Sequence, residues 1–274
     1  MHCKPKGPRT PIHGRAGALV AGEVYDRCMC GRYTLVRGDK IVQVVPNVTM
    51  PANLRIVGRF NVAPSQLVPV IANNSGAVQM FRWGLIPSWA KDPKIGNKLI
   101  NARAETLTEK PAFKRALARR RCLIPADGFY EWRKEDAGGK TPMYIQMRDE
   151  AAFAFAGLWE TWQDPAGDEI YSVTIITTEP NELLKSVHNR MPVILPREAY
   201  EGWLTPGEVK PEELTGWLKP YPAGAMKMHA VGTGVNSPGR EGRELIEEAP
   251  EKPREAPIPV RRGTKKPEQP SLFD

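Results

Sequence analysis

The chain has 274 residues, 41% hydrophobic and 26% charged, which is enough apolar sequence for one large domain or two small ones. No apolar run approaches the roughly 18 residues that span a bilayer, and Ala16–Ala21, in a basic N-terminal arm, is too short for the core of a signal peptide. The net charge of +8 permits an anionic partner without requiring one. Residues 1–28 hold five Lys/Arg against two Asp/Glu, residues 238–274 hold eight of each, and the remaining +5 falls on the middle of the chain. A cytoplasmic monomer with no membrane contact is the expectation.

Residues 1–28 show neither helical nor strand periodicity and read as a disordered extension. Residues 29–237 read as one domain. Strands are expected at Arg32–Val36, Leu67–Ala72, Ala77–Trp83, Arg121–Ile124, Pro142–Met147, Ala152–Trp159, Tyr171–Thr177, Met191–Leu195 and Met228–Val235, with turns at Glu135–Lys140 and Asp164–Asp168. Helices are expected at Lys110–Arg119, Asn181–His188, Glu198–Leu204 and Pro211–Leu218. The fold class is α+β, a mainly antiparallel, barrel-like β core with peripheral helices. In residues 238–274, seven of 37 are proline and charges of both signs alternate, so the segment reads as a disordered tail.

The candidates for chemistry are scattered through the chain, and each has a plainer alternative. Of the four cysteines only Cys28 and Cys30 are close, as C-M-C, so neither a zinc set nor a disulfide framework is expected, and no metal or other cofactor. A cysteine is by default an inert small hydrophobe. Cys30, however, follows Met29, and trimming of a start methionine there would leave it with a free amine beside its thiol. With reference pKa values of about 8 and about 8.5, both groups are partly nucleophilic at neutral pH. Such a 1,2-aminothiol captures an aldehyde as a Schiff base, and its thiol then closes a five-membered thiazolidine, a step favoured by proximity. Glu131 stands between aromatics in Gly128-Phe129-Tyr130-Glu131-Trp132; desolvation there suits proton transfer, while a solvent-facing strand residue is the plainer alternative. His188 closes a helix, as a proton donor or simply as a C-capping residue. Asn101 and Arg103, two apart, share a face if extended and would suit a sugar and a phosphate.

Six motifs occur in order: M-C-G-R-Y from Met29, F-N-V-A-P at Phe60–Pro64, R-W-G-L-I-P-S-W-A at Arg82–Ala90, N-A-R-A-E-T from Asn101, R-C-L-I-P-A-D-G-F-Y-E-W at Arg121–Trp132, and H-N-R-M-P-V at His188–Val193. Together they resemble the SRAP family (SOS response-associated peptidase, or abasic-site processing proteins) over roughly Met29–Asn236. The resemblance implies that Cys30, exposed by loss of Met29, cross-links covalently to abasic sites in single-stranded DNA. It further implies that Asn101 holds the sugar, Glu131 moves protons at the Cys30 amine and His188 assists ring opening. Arg32, Arg103 and Arg190 would bind flanking phosphates, Thr177 would add a polar contact, and Trp83 would stack on neighbouring bases. The 28 residues ahead of Met29 depart from the family pattern, because an amide nitrogen forms no Schiff base. Either Met29 is the true start or the arm is cleaved, as the autoproteolysis in the family name would do, and the patternless arm favours the former.

Two alternatives use the same residues differently: a cysteine peptidase with Cys30 as nucleophile and His188 as base, or a single-strand binding module without chemistry. Gln269-Pro270-Ser271-Leu272-Phe273 in the tail resembles the short motif by which bacterial repair proteins bind the sliding clamp, with Gln269 as hydrogen-bonding residue and Leu272 and Phe273 as apolar anchors; a chance apolar pair is the alternative.

Overall fold

The structure is a computed structural model that describes residues 31–38, 44–45 and 48–250. In chain order the strands are β1 (Arg32–Leu35), β2 (Arg59–Val62), β3 (Leu67–Ala72), β4 (Val78–Trp83), β5 (Asn101–Arg103), β6 (Arg121–Ala126) and β7 (Gly128–Lys134). There follow β8 (Lys140–Met147), β9 (Phe153–Gln163), β10 (Glu169–Thr178), β11 (Met191–Pro192), β12 (Ile194–Leu195) and β13 (Met226–Ala230). The helices are α1 (Pro111–Arg119), α2 (Tyr200–Trp203) and α3 (Pro211–Thr215), with 3₁₀ turns between elements.

Five strands close on themselves: β10 pairs with β4, β4 with β3, β3 with β6, β6 with β9, and β9 returns to β10. Closure leaves these strands no bare edge along the ring. Two pairings run parallel, β4–β10 and β5–β10, and the other ladders are antiparallel. A second sheet, ordered β13-β8-β7-β1-β2, lies against this barrel. The joint is aromatic: Tyr33 on β1 meets Trp83 and Phe155, and Phe129 on β7 meets Phe155, with ring centroids 5.4, 5.8 and 6.0 Å apart. Because β9 is covered on both sides, its first eight residues are all buried and its sequence shows a run instead of an alternation.

The expected α+β class with a barrel-like core is what the chain forms, and most expected strands recur within a few residues. Three strands were absent from the expectation. β2 and β5 are four and three residues long, while β7 carries the Glu131 motif, for which a strand entered only as the solvent-facing alternative. The expected helix at Asn181–His188 is reduced to a 3₁₀ turn at Leu184–Ser186. Asn181 explains this: its side-chain oxygen accepts from the Leu184 amide at 3.0 Å and its side-chain nitrogen donates to the Tyr221 carbonyl at 2.7 Å, so it competes with a continuous helix. The expected Met228–Val235 strand ends at Ala230; the Val235 and Asn236 carbonyls instead accept from Arg32. α1 buries Phe113, Ala116 and Leu117 at helical spacing. Its last carbonyls are satisfied by Arg121, a fully buried guanidinium that donates to Leu117, Ala118, Trp203 and Thr205 carbonyls.

The composition-based tail boundary at 238 moves. Residues 238–250 pack on the domain: Glu241 bridges Arg59 at 2.5 Å and accepts from the Phe60 amide at 2.7 Å, Leu245 is 2% exposed, and the Ala249 amide donates to the Ala230 carbonyl at 2.8 Å. Leu245 is the anchor that a count of prolines and charges overlooks. Among the described residues no helix is long and apolar enough to cross a membrane.

Candidate functional site

The structure places seven of the candidate residues in two groups. The first lies on β1 and β7. Their ladder pairs Arg32 with Tyr130, Tyr33 with Phe129 and Thr34 with Gly128. One residue ahead of the Arg32–Tyr130 pair stand Gly31 and Glu131. Glu131 is 2% exposed, so the solvent-facing alternative for it is excluded. Gly128 permits the ladder to close over Tyr144, since a Cβ there would meet the Tyr144 hydroxyl at 2.2 Å. Arg32 is likewise buried and donates to Asn61 Oδ1 at 3.1 Å and to the Val235 carbonyl at 2.5 Å. Trp132 joins the same corner, donating from Nε1 to Asn236 Oδ1 at 2.8 Å. Arg32 thus ties the start of the domain to its C-terminal segment, and any phosphate contact would add to these bonds.

The second group gathers where β5, β10 and β11 meet. β5 runs parallel beside β10, with Asn101, Ala102 and Arg103 matched to Ile175, Ile176 and Thr177. Ala102 is buried while Asn101 is half-buried and Arg103 exposed, so the two polar residues do share the outward face. Thr177 is fully buried and its hydroxyl donates to the Ala102 carbonyl at 3.5 Å, which fixes β5 to β10. β11 pairs Met191 with Thr178 and thereby brings the preceding loop, His188-Asn189-Arg190, to the same end.

Arg190 is held by Glu105 in a bidentate pair, Nη1 to Oε1 at 2.6 Å and Nη2 to Oε2 at 2.8 Å, and Nη2 also donates to the Thr177 carbonyl at 2.7 Å. Glu105, from the 3₁₀ turn after β5, thus has a long-range partner. The Arg190 hydrogen bond lowers the Glu105 carboxyl pKa against a partial desolvation penalty. His188 is half-buried, and its Nδ1 accepts from the Arg190 amide at 3.2 Å. Burial first, then the charges of Lys134, Lys140 and Arg190, lower its pKa below the ordinary 6.5. Lys134 and Lys140 pair with each other at the turn end of the β7–β8 hairpin.

Trp83 requires correction. It is 1% exposed, packs on Tyr33, and donates from Nε1 to the Ile100 carbonyl at 2.9 Å, so it offers no face to a base. The alternation of β4 turns Phe81 and Trp83 inward together. Within the same motif, Trp89 is 60% exposed and was missed. Its position after Pro87-Ser88, beyond the end of β4, was the available signal. The loop that presents it is anchored: Gly84 adopts φ +121° against Gly96, the Ile86 amide donates to Ser172 Oγ at 2.8 Å, and Trp162 Nε1 donates to the Ala90 carbonyl at 2.7 Å. Lys91, Lys94 and Lys98 are exposed on the same segment.

Cys30 lies outside the described residues, as do Gln269, Leu272 and Phe273. A separate cleft of about 990 Å³ between β8, β12 and the segment after α3, lined by Tyr200, Trp217 and Tyr221, contains none of the candidate residues.

A closed five-stranded barrel with a second sheet joined through aromatics, and two polar groups, one on β1 and β7 and one on β5 and the loop before β11, define the class. The profile of the SRAP family (SOS response associated peptidase) matches residues 29–238, and the chain belongs to that family. Over 223 residues it is 48% identical to the abasic site processing protein YoqW of Bacillus subtilis, covering 80% of this chain and 99% of that protein. It is 35% identical over 221 residues to the abasic site processing protein HMCES of Gallus gallus, covering 68% of this chain and 65% of that protein. A solved structure of a Bacteroides thetaiotaomicron protein, 31% identical, matches with a TM-score of 0.72 over 80% of this chain and 100% of that one.

Proposed function

We propose that this chain processes abasic sites in single-stranded DNA by forming a thiazolidine between the sugar aldehyde and Cys30 as N-terminal residue. The observation that carries this reading is the end of the β1–β7 ladder: its last pair is Arg32–Tyr130, the buried Glu131 is the next residue of β7, and Cys30 is two residues before Arg32, each step spanning about 3.8 Å between Cα atoms. The relatives named for abasic site processing support the same chemistry.

In the proposed course, His188 assists opening of the sugar ring and Asn101 holds the sugar. The Cys30 amine adds to C1′ of the aldehyde, and loss of one water leaves a Schiff base. The thiol then adds to the C=N carbon: the C–S bond forms, the C=N pair returns to nitrogen, and the thiol proton passes to that nitrogen. Glu131 carries protons between these groups. The sum is protein plus aldehyde minus one water, with no oxidant or cofactor consumed. Arg103, with Arg32, Arg190 and the buried Thr177 behind them, serves the phosphates, and Trp89 takes over the base-stacking role first given to Trp83.

The test is incubation of a chain beginning at Met29 with an abasic single strand, followed by denaturing electrophoresis. A shifted covalent band is expected, absent for Cys30→Ala and reduced for Cys30→Ser, which keeps the amine but closes its ring poorly. Equal cross-linking by Cys30→Ala would remove the reading. Proteolysis of other proteins without any cross-link would favour the peptidase alternative.

A further inference from the structure

The bond between Arg190 and His188 has a consequence for how the histidine works. A backbone amide donates and never accepts. With the Arg190 amide on His188 Nδ1 at 3.2 Å, that nitrogen holds a lone pair, and the proton of the neutral ring is on Nε2. Protonating Nδ1 would set one N–H against another. Lys134 and Lys140 from the β7–β8 hairpin and Arg190 from its own loop are positive and act in the same direction, against a charged ring.

The Arg190 amide is fixed from both sides. On one side, Met191 enters the ladder with Thr178. On the other, the guanidinium is clamped by both Glu105 oxygens and the Thr177 carbonyl, leaving the side chain 13% exposed. A bidentate pair fixes orientation as well as position.

We propose that Glu105 is a positioning residue: by holding Arg190 it keeps the Arg190 amide on Nδ1, so that His188 meets its substrate as a neutral ring with Nε2–H as the donor. This rests on the reading of His188 given under the proposed function. As the C1′–O4′ bond breaks, its electron pair goes to O4′, where Nε2–H stabilises the developing charge. The anomeric O–H pair becomes the new C=O, and the hydroxyl proton passes to the Glu131 carboxylate and ends on O4′. His188 keeps its own proton throughout, so ring opening does not depend on an imidazolium.

Two-bond ¹H–¹⁵N correlation spectra of the full chain test this directly, with the His188 signals assigned by their loss in His188→Asn. From about pH 6 to about pH 8, across the ordinary histidine range, a pyridine-like Nδ1 and a pyrrole-like Nε2 are expected. An imidazolium at neutral pH, or the opposite tautomer, would overturn the proposal. In Glu105→Gln, which keeps the size but loses one acceptor and the charge, the single-tautomer signature should give way to a mixture. In a chain beginning at Met29, the same change should slow cross-linking at saturating abasic strand by at least about tenfold, with half-saturation little changed and part of the rate restored in Glu105→Asp. A Glu105→Gln spectrum like the parent's, or a loss of DNA affinity alone, would reduce Glu105 to a surface charge and refute the proposal. The expected tautomer, lost in Glu105→Gln, in a chain that never cross-links would sink the reading of the site while upholding the placement by Glu105.

Discussion

Two tryptophans six residues apart do opposite work. Trp83 fills the joint between barrel and second sheet, so Trp83→Ala should cost about 3–5 kcal/mol in a denaturant titration. Trp89→Ala should leave the midpoint unchanged and weaken binding of an unmodified single strand by about 1–3 kcal/mol, the usual worth of one stacked base. The reverse pattern would restore Trp83 to the surface. Sequence motifs located both rings but not their roles, because a motif gives neighbours along the chain and the facing of a strand decides burial. Asn101 and Arg103 were legible for the converse reason: spacing by two is itself a statement about facing. Glu105 and Asn61 could not be read, since each acts through a partner 85 or 174 residues away. His188 and Glu105 also set a pH dependence. Each has a lowered pKa in the folded chain, so the unfolded chain binds protons more readily and stability falls as pH falls. The His188 contribution is complete above its ordinary value of 6.5 and is lost as pH drops from there toward the lowered folded value. The Glu105 contribution is lost later, in the carboxylate range. Thermal midpoints across this span should decline, and His188→Asn should flatten the upper part of the decline.

At the scale of elements, the β1–β7–β8 corner is the tightest constraint. Thr34 donates to Asp127 Oδ1 at 2.6 Å and lies 3.1 Å from the Tyr144 hydroxyl, directly over Gly128. Gly128→Ala would drive a methyl into the Tyr144 ring and should destabilise the chain by about 1–3 kcal/mol. Because the ladder that holds Arg32 against Tyr130, next to Glu131, begins at this glycine, cross-linking should slow as well, which calorimetry and the band assay read separately. An unchanged midpoint would mean that β7 shifts freely, contrary to the packing described. Strands with one covered face were legible from alternation. β9 was legible as a run of apolar residues, its far end less so. The 3₁₀ turn at Leu184–Ser186 was not, because the Asn181 side chain replaces bonds that a longer helix would make.

For the whole molecule, barrel closure joins five strands in one hydrogen-bonded ring, and the C-terminal segment packs beside it. The sequence pointed to a barrel-like core but not to the return pairing of β9 with β10, which depends on strand order. Deleting residues 238–250 should therefore destabilise the domain, through loss of Leu245 and of the Glu241 contacts to Arg59 and Phe60, whereas deleting 251–274 should not. The distal residues have a separate proposed role. A peptide of residues 265–274 should bind the bacterial sliding clamp in calorimetric titration, and binding should vanish when Leu272 and Phe273 are both changed to alanine. No heat, or heat unchanged by that pair of substitutions, would remove the clamp from the account and leave the abasic-site chemistry standing.

That chemistry turns on the free amine of Cys30, and intact-mass spectrometry reads it most directly. A chain shown by mass to begin at Cys30, incubated with an abasic single strand, should yield one species at the sum of the two masses less one water, while a chain with residues 1–29 still attached should yield none. An equal adduct from both chains, or no adduct from a chain confirmed to start at Cys30, would contradict the account.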